Sequence, residues 1–341
     1  MNAAWHRGLA GVLAFACAMP LQAQGPPAPR ASTPAAAPAA PVPATPDADD
    51  DLYAAPTRAD RSGRIVAAVR VNDRGPYRFI LDTGANTSAL SPRVVEELAL
   101  PAVEGVEVHG VTGTAVLSAV RVESMKAGEV VLPSAVLPVL PGDIFGSADG
   151  ILGVTGMQDM RIDVDFARDR VSIGRSGGKR APFGYVVVKA TLWQGGLLLV
   201  DGKVGSIPVK VILDTGAERT MGNLPLRAAI VERSRPGEEF AATVHGATAD
   251  VSSGTYFTAP RISVGNARLT DLPVTFGDLH VFRVWGLDQE PALVIGMDVL
   301  GRVERFVVDF RRREFQMKAK GSDVAIRRCT SSTCASRIPE G

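Results

Sequence analysis

The chain has 341 residues, enough for two modest domains or one two-lobed body with tails. Its 37 Lys and Arg balance 36 Asp and Glu, so the net charge of +1 implies no basic surface for nucleic acid or an anionic membrane. With 35 Gly, 24 Pro and many short Val/Ile/Leu runs, the composition favours a turn-rich β protein.

Residues 1–23 read as a secretory signal. His6 and Arg7 form a basic start, residues 9–18 are apolar, and Leu21-Gln22-Ala23 offers a small residue for cleavage. The apolar stretch is too short to span a bilayer and no later segment matches it, so no stable membrane insertion is expected after signal removal. A lipoprotein anchor at Cys17 is disfavoured, because Ala14-Phe15-Ala16 is a poor lead-in for lipid attachment. Residues 24–51, dense in Pro and Ala, bury too little apolar surface to repay ordering and read as a disordered linker. Export across the inner membrane, with the periplasm as destination, is the expectation.

Two matching halves follow, 52–176 and 177–320, with a tail at 321–341. Runs 65–71 and 76–81 read as a hairpin that delivers Asp82-Thr83-Gly84-Ala85 at a strand end. Runs 197–204 and 208–213 do the same for Asp214-Thr215-Gly216-Ala217, 132 residues later. One Asp-Thr-Gly is ordinary turn chemistry, its carboxylate capping its own loop. Two of them at one position of a repeat point to a pair of facing carboxylates.

The match continues downstream. Ser91-Pro92 opens an amphipathic helix over residues 93–100, with Ser91 as its cap, and Asn223-Leu224-Pro225 opens the counterpart. Val108-His109-Gly110-Val111-Thr112 echoes Val244-His245-Gly246-Ala247-Thr248. Gly150-Ile151-Leu152-Gly153 echoes Leu293-Val294-Ile295-Gly296, and Ile162-Asp163-Val164-Asp165-Phe166 echoes Phe306-Val307-Val308-Asp309-Phe310. Two copies in the same order describe a duplicated domain with pseudo-two-fold symmetry, not a solenoid. Its halves meet in the polar, Gly-rich stretch 174–182.

Over residues 61–318 each half resembles a retropepsin-like aspartic protease lobe: Asp-Thr-Gly-Ala after an apolar strand, a Gly-containing flap, then a hydrophobic-hydrophobic-Gly element. The resemblance implies an all-β, bilobal aspartic-protease fold with an interlobe cleft and flap hairpins. Because both lobes lie in one chain, a monomer suffices. It implies further that Asp82 and Asp214 are the catalytic dyad. Thr83 and Thr215 would hydrogen-bond across the junction beneath them, and Gly84 and Gly216 would let the backbone approach the dyad. His109, Gly110 and Gly113, with His245 and Gly246, fall at flap positions that bind substrate. Gly153 and Gly296 belong to the elements that support the two loops. No metal or organic cofactor is implied.

The chemistry follows from the pair. Two close carboxylates share a proton, one ionised to activate a water, the other protonated to donate to the scissile carbonyl. Such a site is expected to act as an endopeptidase on extended polypeptides. The alternative is a non-catalytic peptide-binding or envelope-assembly protein on the same fold. Ala85 and Ala217 carry no hydroxyl to favour the charged form, so a mildly acidic optimum is expected.

Several features stay open. The second half carries extra residues around 280–290, including Phe282 and Trp285, and the first has Val154-Thr155-Gly156 inserted after its Leu-Gly. Trp193, Phe282 and Trp285 suit either subsites or core. His109 and His245 recur at one flap position, which invites a metal reading, though hairpin packing is simpler. Arg311-Arg312-Arg313 reads as a solvated turn, and Asp165 and Asp309 as structural loop residues. Cys329 and Cys334 can close a small disulfide loop in an oxidising compartment.

Overall fold

The computed structural model describes residues 63–234, 237–248 and 250–320, with short strands at Gly11–Val12, Cys17–Pro20 and Ala55–Pro56. The signal and linker segments are otherwise outside these residues, as are the tail and its Cys329 and Cys334. Among the described residues no helix is long and apolar enough to cross a membrane.

The fold is all-β and two-lobed, each lobe built on a hairpin. In the first, Val66–Val71 (β1) pairs antiparallel with Arg74–Leu81 (β2), and their inward residues Val69, Val71, Phe79 and Leu81 are buried. Asn72 and Asp73 at the turn have φ of 48° and 58°, the left-handed pair that a tight two-residue hairpin requires. Ala89–Leu90 (β3) leads into helix α1, Pro92–Leu98. This helix stops two residues short of the expected end because Ala99 turns left-handed, with φ of 47°. Ser91 stands at its N-cap, but the hydroxyl makes no cap bond and is buried with no partner among the described residues, so the expected capping role does not hold. Proline at the first helical position, already lacking an N–H, sets the start instead.

Ala102–His109 (β4) and Thr114–Val122 (β5) form the first flap hairpin. Gly150–Leu152 (β6) then runs parallel to β2 and antiparallel to β3, clamping the strand end that carries Asp82. Met160–Asp165 (β7) and Arg170–Arg175 (β8) complete the lobe.

The second lobe repeats the plan. Val186–Lys189 (β9) precedes the hairpin of Leu197–Val204 (β10) and Ile207–Leu213 (β11). Met221–Gly222 (β12) leads to helix α2, Leu224–Arg233, where Asn223 does cap, its Oδ1 accepting from the Leu226 amide at 2.9 Å. Phe240–His245 (β13) and Val251–Ala259 (β14) make the second flap, followed by Leu272–Gly277 (β15). Helix α3, His280–Val284, lies in the longer segment of this lobe, where the first lobe has a 3-10 turn at Gly142–Phe145. Ala292–Ile295 (β16) clamps β11 in parallel as β6 clamps β2, and α4 spans Met297–Leu300.

Val303–Asp309 (β17) and Glu314–Ala319 (β18) close the chain onto the first lobe. Strand β17 pairs antiparallel with β7, Val308 opposite Ile162, so one six-stranded sheet joins the lobes. Its apolar layer contains the buried Ile162, Val164, Phe306, Val308 and Phe315. Glu314 lies in the same sheet, 3% exposed, held by Lys189, Arg312 and Gln316. Those contacts pull its carboxyl down to about 2, Arg312 contributing most.

The turn expected at Arg311 to Arg313 is present, but Arg312 is anchored rather than freely solvated, bonding Glu314 and the Gly178 carbonyl. Asp165 and Asp309 are structural, the first accepting from Arg168 and the second from Ser176 Oγ and the Arg312 amide. Phe282 and Trp285 are 1% and 0% exposed and pack edge to face, which assigns them to the core. Half-buried Trp193 donates its Nε1 hydrogen to the Trp285 carbonyl at 2.8 Å.

Candidate active site

Asp82 and Asp214 follow the ends of β2 and β11, where each strand gives way to a loop held from below. The Asp82 amide donates to Leu152 O and the Asp214 amide to Ile295 O, both at 3.0 Å. Next to each clamp, Gly153 and Gly296 leave no room for a side chain. An added Cβ would lie 2.5 Å from Thr87 O in the first lobe and 2.7 Å from Arg219 O in the second. Hydroxyls at matching positions finish the support. Ser88 Oγ accepts from the Gly153 amide and Thr220 Oγ1 from the Gly296 amide, while Thr220 also donates to the half-buried Asp298.

The loops are bonded across the lobe junction. Thr83 donates its hydroxyl to Leu213 O at 2.7 Å, and Thr215 donates its own to Leu81 O at 2.6 Å. Each threonine amide donates to the other's hydroxyl at 3.1 Å. All four bonds are buried, where an unmade one is costly. Gly84 then lies against Asp214 and Gly216 against Asp82: a Cβ on either glycine would sit 2.3 Å from the opposite carboxyl carbon.

Both aspartates are 0% exposed. Asp82 Oδ1 accepts from the Gly84 amide at 2.9 Å; Asp214 Oδ1 accepts from Gly216 at 2.8 Å and Ala217 at 3.2 Å. The two Oδ2 atoms are buried with no hydrogen-bond partner among the described residues. Burial first, and the neighbouring Asp214 charge second, hold the Asp82 carboxyl well above the ordinary carboxylate range. Burial pushes Asp214 up to about 6, against the opposing effect of its hydrogen bonds. Such a pair titrates as one unit and keeps a proton into mildly acidic solution.

The flap residues meet over the lobes tip to tip. Gly110 donates its amide to Gly113 O at 2.8 Å, closing the first tip. Thr112 donates to Asp250 O of the second flap at 2.8 Å. Gly110 packs against Thr248, Gly113 against Asp250 and Gly246 against Thr112, with no space for a Cβ at Gly113 or Gly246. His109 and His245 do not come together. His109 contacts His280 of α3, whereas the exposed His245 side chain has no polar partner among the described residues. No group of three or more His, Cys, Asp or Glu side chains able to hold a metal occurs among the described residues.

Sequence reading missed four partners. Buried Arg64 reaches Glu218 across the junction at 4.0 Å, while the matching position in the first lobe is Asn86. His280, Asp250 and Asp298 were likewise unmarked. Only the hydroxyl recurrence at Ser88 and Thr220, six residues after each aspartate, carried a legible signal.

The sequence matches the aspartyl protease family twice, over residues 67–155 and 200–299, together more than half of the chain. No curated protein matches it. The two matched regions contain one Asp-Thr-Gly-Ala loop, one flap and one supporting strand each, and the chain belongs to the aspartyl protease family.

Proposed function

We propose that this chain is an aspartic endopeptidase that hydrolyses extended polypeptides in an extracytoplasmic space. The observation that carries the reading is the pair of fully buried, cross-braced aspartates whose Oδ2 atoms have no hydrogen-bond donor among the other described residues. With one proton between them, the ionised carboxylate takes a proton from a water as that water attacks the scissile carbonyl. The protonated carboxyl donates to the carbonyl oxygen as the tetrahedral species forms. On collapse the carboxyl that took the water's proton passes it to the leaving nitrogen, while the other carboxylate takes a proton from the gem-diol. This releases the amine and the new acid and returns the dyad to its one-proton state.

The flap strands support an extended substrate. Gly11–Val12 lies parallel to β4, with Val12 opposite His109, and Cys17–Pro20 lies antiparallel to β13, with Cys17 opposite His245. A directional strand crossing a pseudo-two-fold cleft must meet its two flaps in opposite senses. Both edges therefore suit main-chain pairing with a polypeptide. The covalent joining of both lobes favours a monomer, and the apolar start of the chain favours export to the periplasm.

The test is a diverse peptide library from about pH 4 to 7, with Asp82→Asn, Asp214→Asn and a statine-type inhibitor in parallel. Cleavage lost in every arm supports the dyad. Saturable binding with no turnover by the folded parent would transfer the chain to the peptide-binding alternative.

A further inference from the structure

The two flaps are not held alike. The first is fastened to helix α3 of the second lobe, where the first lobe has only a short 3-10 turn, Gly142–Phe145. His280, at the start of α3, places Nε2 at 2.9 Å from Thr114 Oγ1 and 3.2 Å from His109 Nδ1. His109 Nδ1 is also 2.9 Å from Thr114 Oγ1, and the two imidazoles stack with centroids 5.4 Å apart. One residue on, the Val281 amide donates to Val111 O at the flap tip, at 3.2 Å. The second flap's His245 has no such partner among the described residues. Helix α3 is rigidly seated, because Val281, Phe282 and Trp285 are buried beneath it.

We infer that His280 is a positioning residue that latches the first flap to the second lobe, leaving the second flap as the one that yields to admit substrate. The inference rests on the endopeptidase reading only for what the flaps admit. The latch itself is a property of the fold.

The latch contains its own proton count. Glu107 Oε1 lies 3.0 Å from His109 Nε2, so a proton on that nitrogen is well placed. His280 Nε2 then serves as an acceptor, for the Thr114 hydroxyl or for an N–H on His109 Nδ1. A single cation on His109 is compatible with every contact. A second proton, on His280 Nε2, sets two N–H groups and two positive charges face to face.

The surrounding charges are mixed: Asp250 of the second flap favours a charged His280, and Arg283 on the next turn, itself paired with Asp278, opposes it. Burial and the neighbouring His109 lower the affinity of His280 for its proton. A lowered value means the latch is at full strength above the ordinary imidazole value of about 6.5 and weakens as pH falls through it. Acidification therefore loosens the flap.

Hydrogen exchange of the full mature chain at pH 5 and pH 7.5, corrected for intrinsic rates, tests this without turnover. His280→Ala should speed exchange at residues 111–114 at least tenfold at pH 7.5 and leave residues 244–248 unchanged. His280→Gln keeps an acceptor that does not titrate, so it should protect the first flap equally at both values, where the parent loses protection at pH 5. Unchanged exchange of β2 and β11 shows that each variant is folded. Equal protection of the first flap in parent and His280→Ala, or an unaltered pH response in His280→Gln, overturns the latch. In peptide cleavage, His280→Ala should raise KM three- to tenfold with kcat within twofold. A parent that cleaves nothing removes the endopeptidase reading, while the exchange data still decide the latch.

Discussion

Thr83 and Thr215, 132 residues apart, donate their amides to each other's hydroxyls at 3.1 Å, and each hydroxyl donates onward to the opposite strand end. Two side chains thereby satisfy two amides and two carbonyls at a dry junction. The exchange keeps the two loops in register, so a disturbance at either threonine reaches both aspartates.

Thr83→Ala or Thr215→Ala should destabilise the chain by about 2–4 kcal/mol, since each removes two buried bonds and strands an amide and a carbonyl. Thr→Ser at either position keeps the hydroxyl and should cost about 1 kcal/mol or less. Urea unfolding midpoints at constant slope measure both. An alanine variant as stable as its parent would show that the junction is held elsewhere.

Gly84→Ala and Gly216→Ala place a methyl group 2.3 Å from the carboxyl carbon of the opposite aspartate, so that aspartate must move. Peptide cleavage should fall at least a hundredfold in either variant. The far-UV circular dichroism spectrum should persist, because the clash is confined to the loops.

The dyad sets a stability profile of known sign. Asp214 is raised from 3.8 to about 6, so the folded state retains a proton that the unfolded chain has released. Stability from this source is present below the unfolded value and lost as pH rises through about 6. Asp214→Asn removes that loss. It should gain on the order of 2 kcal/mol over the parent between pH 4.5 and 7.5, from the roughly 1.5 pH units between 4.5 and about 6 at about 1.36 kcal/mol each. Denaturant titrations at both pH values are the measurement. A parent equally stable at both, relative to the variant, would show that the pair is not strained by its charge.

Glu314 acts in the opposite sense. With Arg312, Lys189 and Gln316 as partners its carboxyl is lowered to about 2, so its contribution is complete above the unfolded value of 4.5 and lost as pH falls through about 2. Glu314→Gln should lower the melting temperature at pH 7 and flatten the acid limb of the pH–Tm curve. Parallel acid limbs in parent and variant would assign acid denaturation to other carboxylates.

Much of this architecture was legible in the residues. Strand alternation and a repeated Asp-Thr-Gly-Ala are short-range signals, because the chain makes a hairpin and its loop from neighbours in sequence. Duplication added the one long-range statement available, that like positions face each other across a pseudo-two-fold axis. Ser91 shows where local reading stops: its cap position is occupied, yet its hydroxyl makes no cap bond, because residue type and position do not fix where a side chain turns.

The residues by themselves thus determined the two-lobed β fold and the pairing of Asp82 with Asp214, both consequences of repetition, while the threonine braces came from the resemblance to aspartic protease lobes. Tertiary structure alone decided what breaks the symmetry. Phe282 and Trp285 entered the core rather than the cleft, Arg64 found Glu218, and His109 found His280 instead of its repeat partner His245. Arg64 meets Glu218 because the repeat is inexact there, with Asn86 at the matching position; for the aromatic pair and His280 the reason is the longer segment of the second lobe. A repeat predicts contacts between equivalent positions, whereas an insertion present in one copy has no equivalent, and its neighbours are set only when the lobes close against each other.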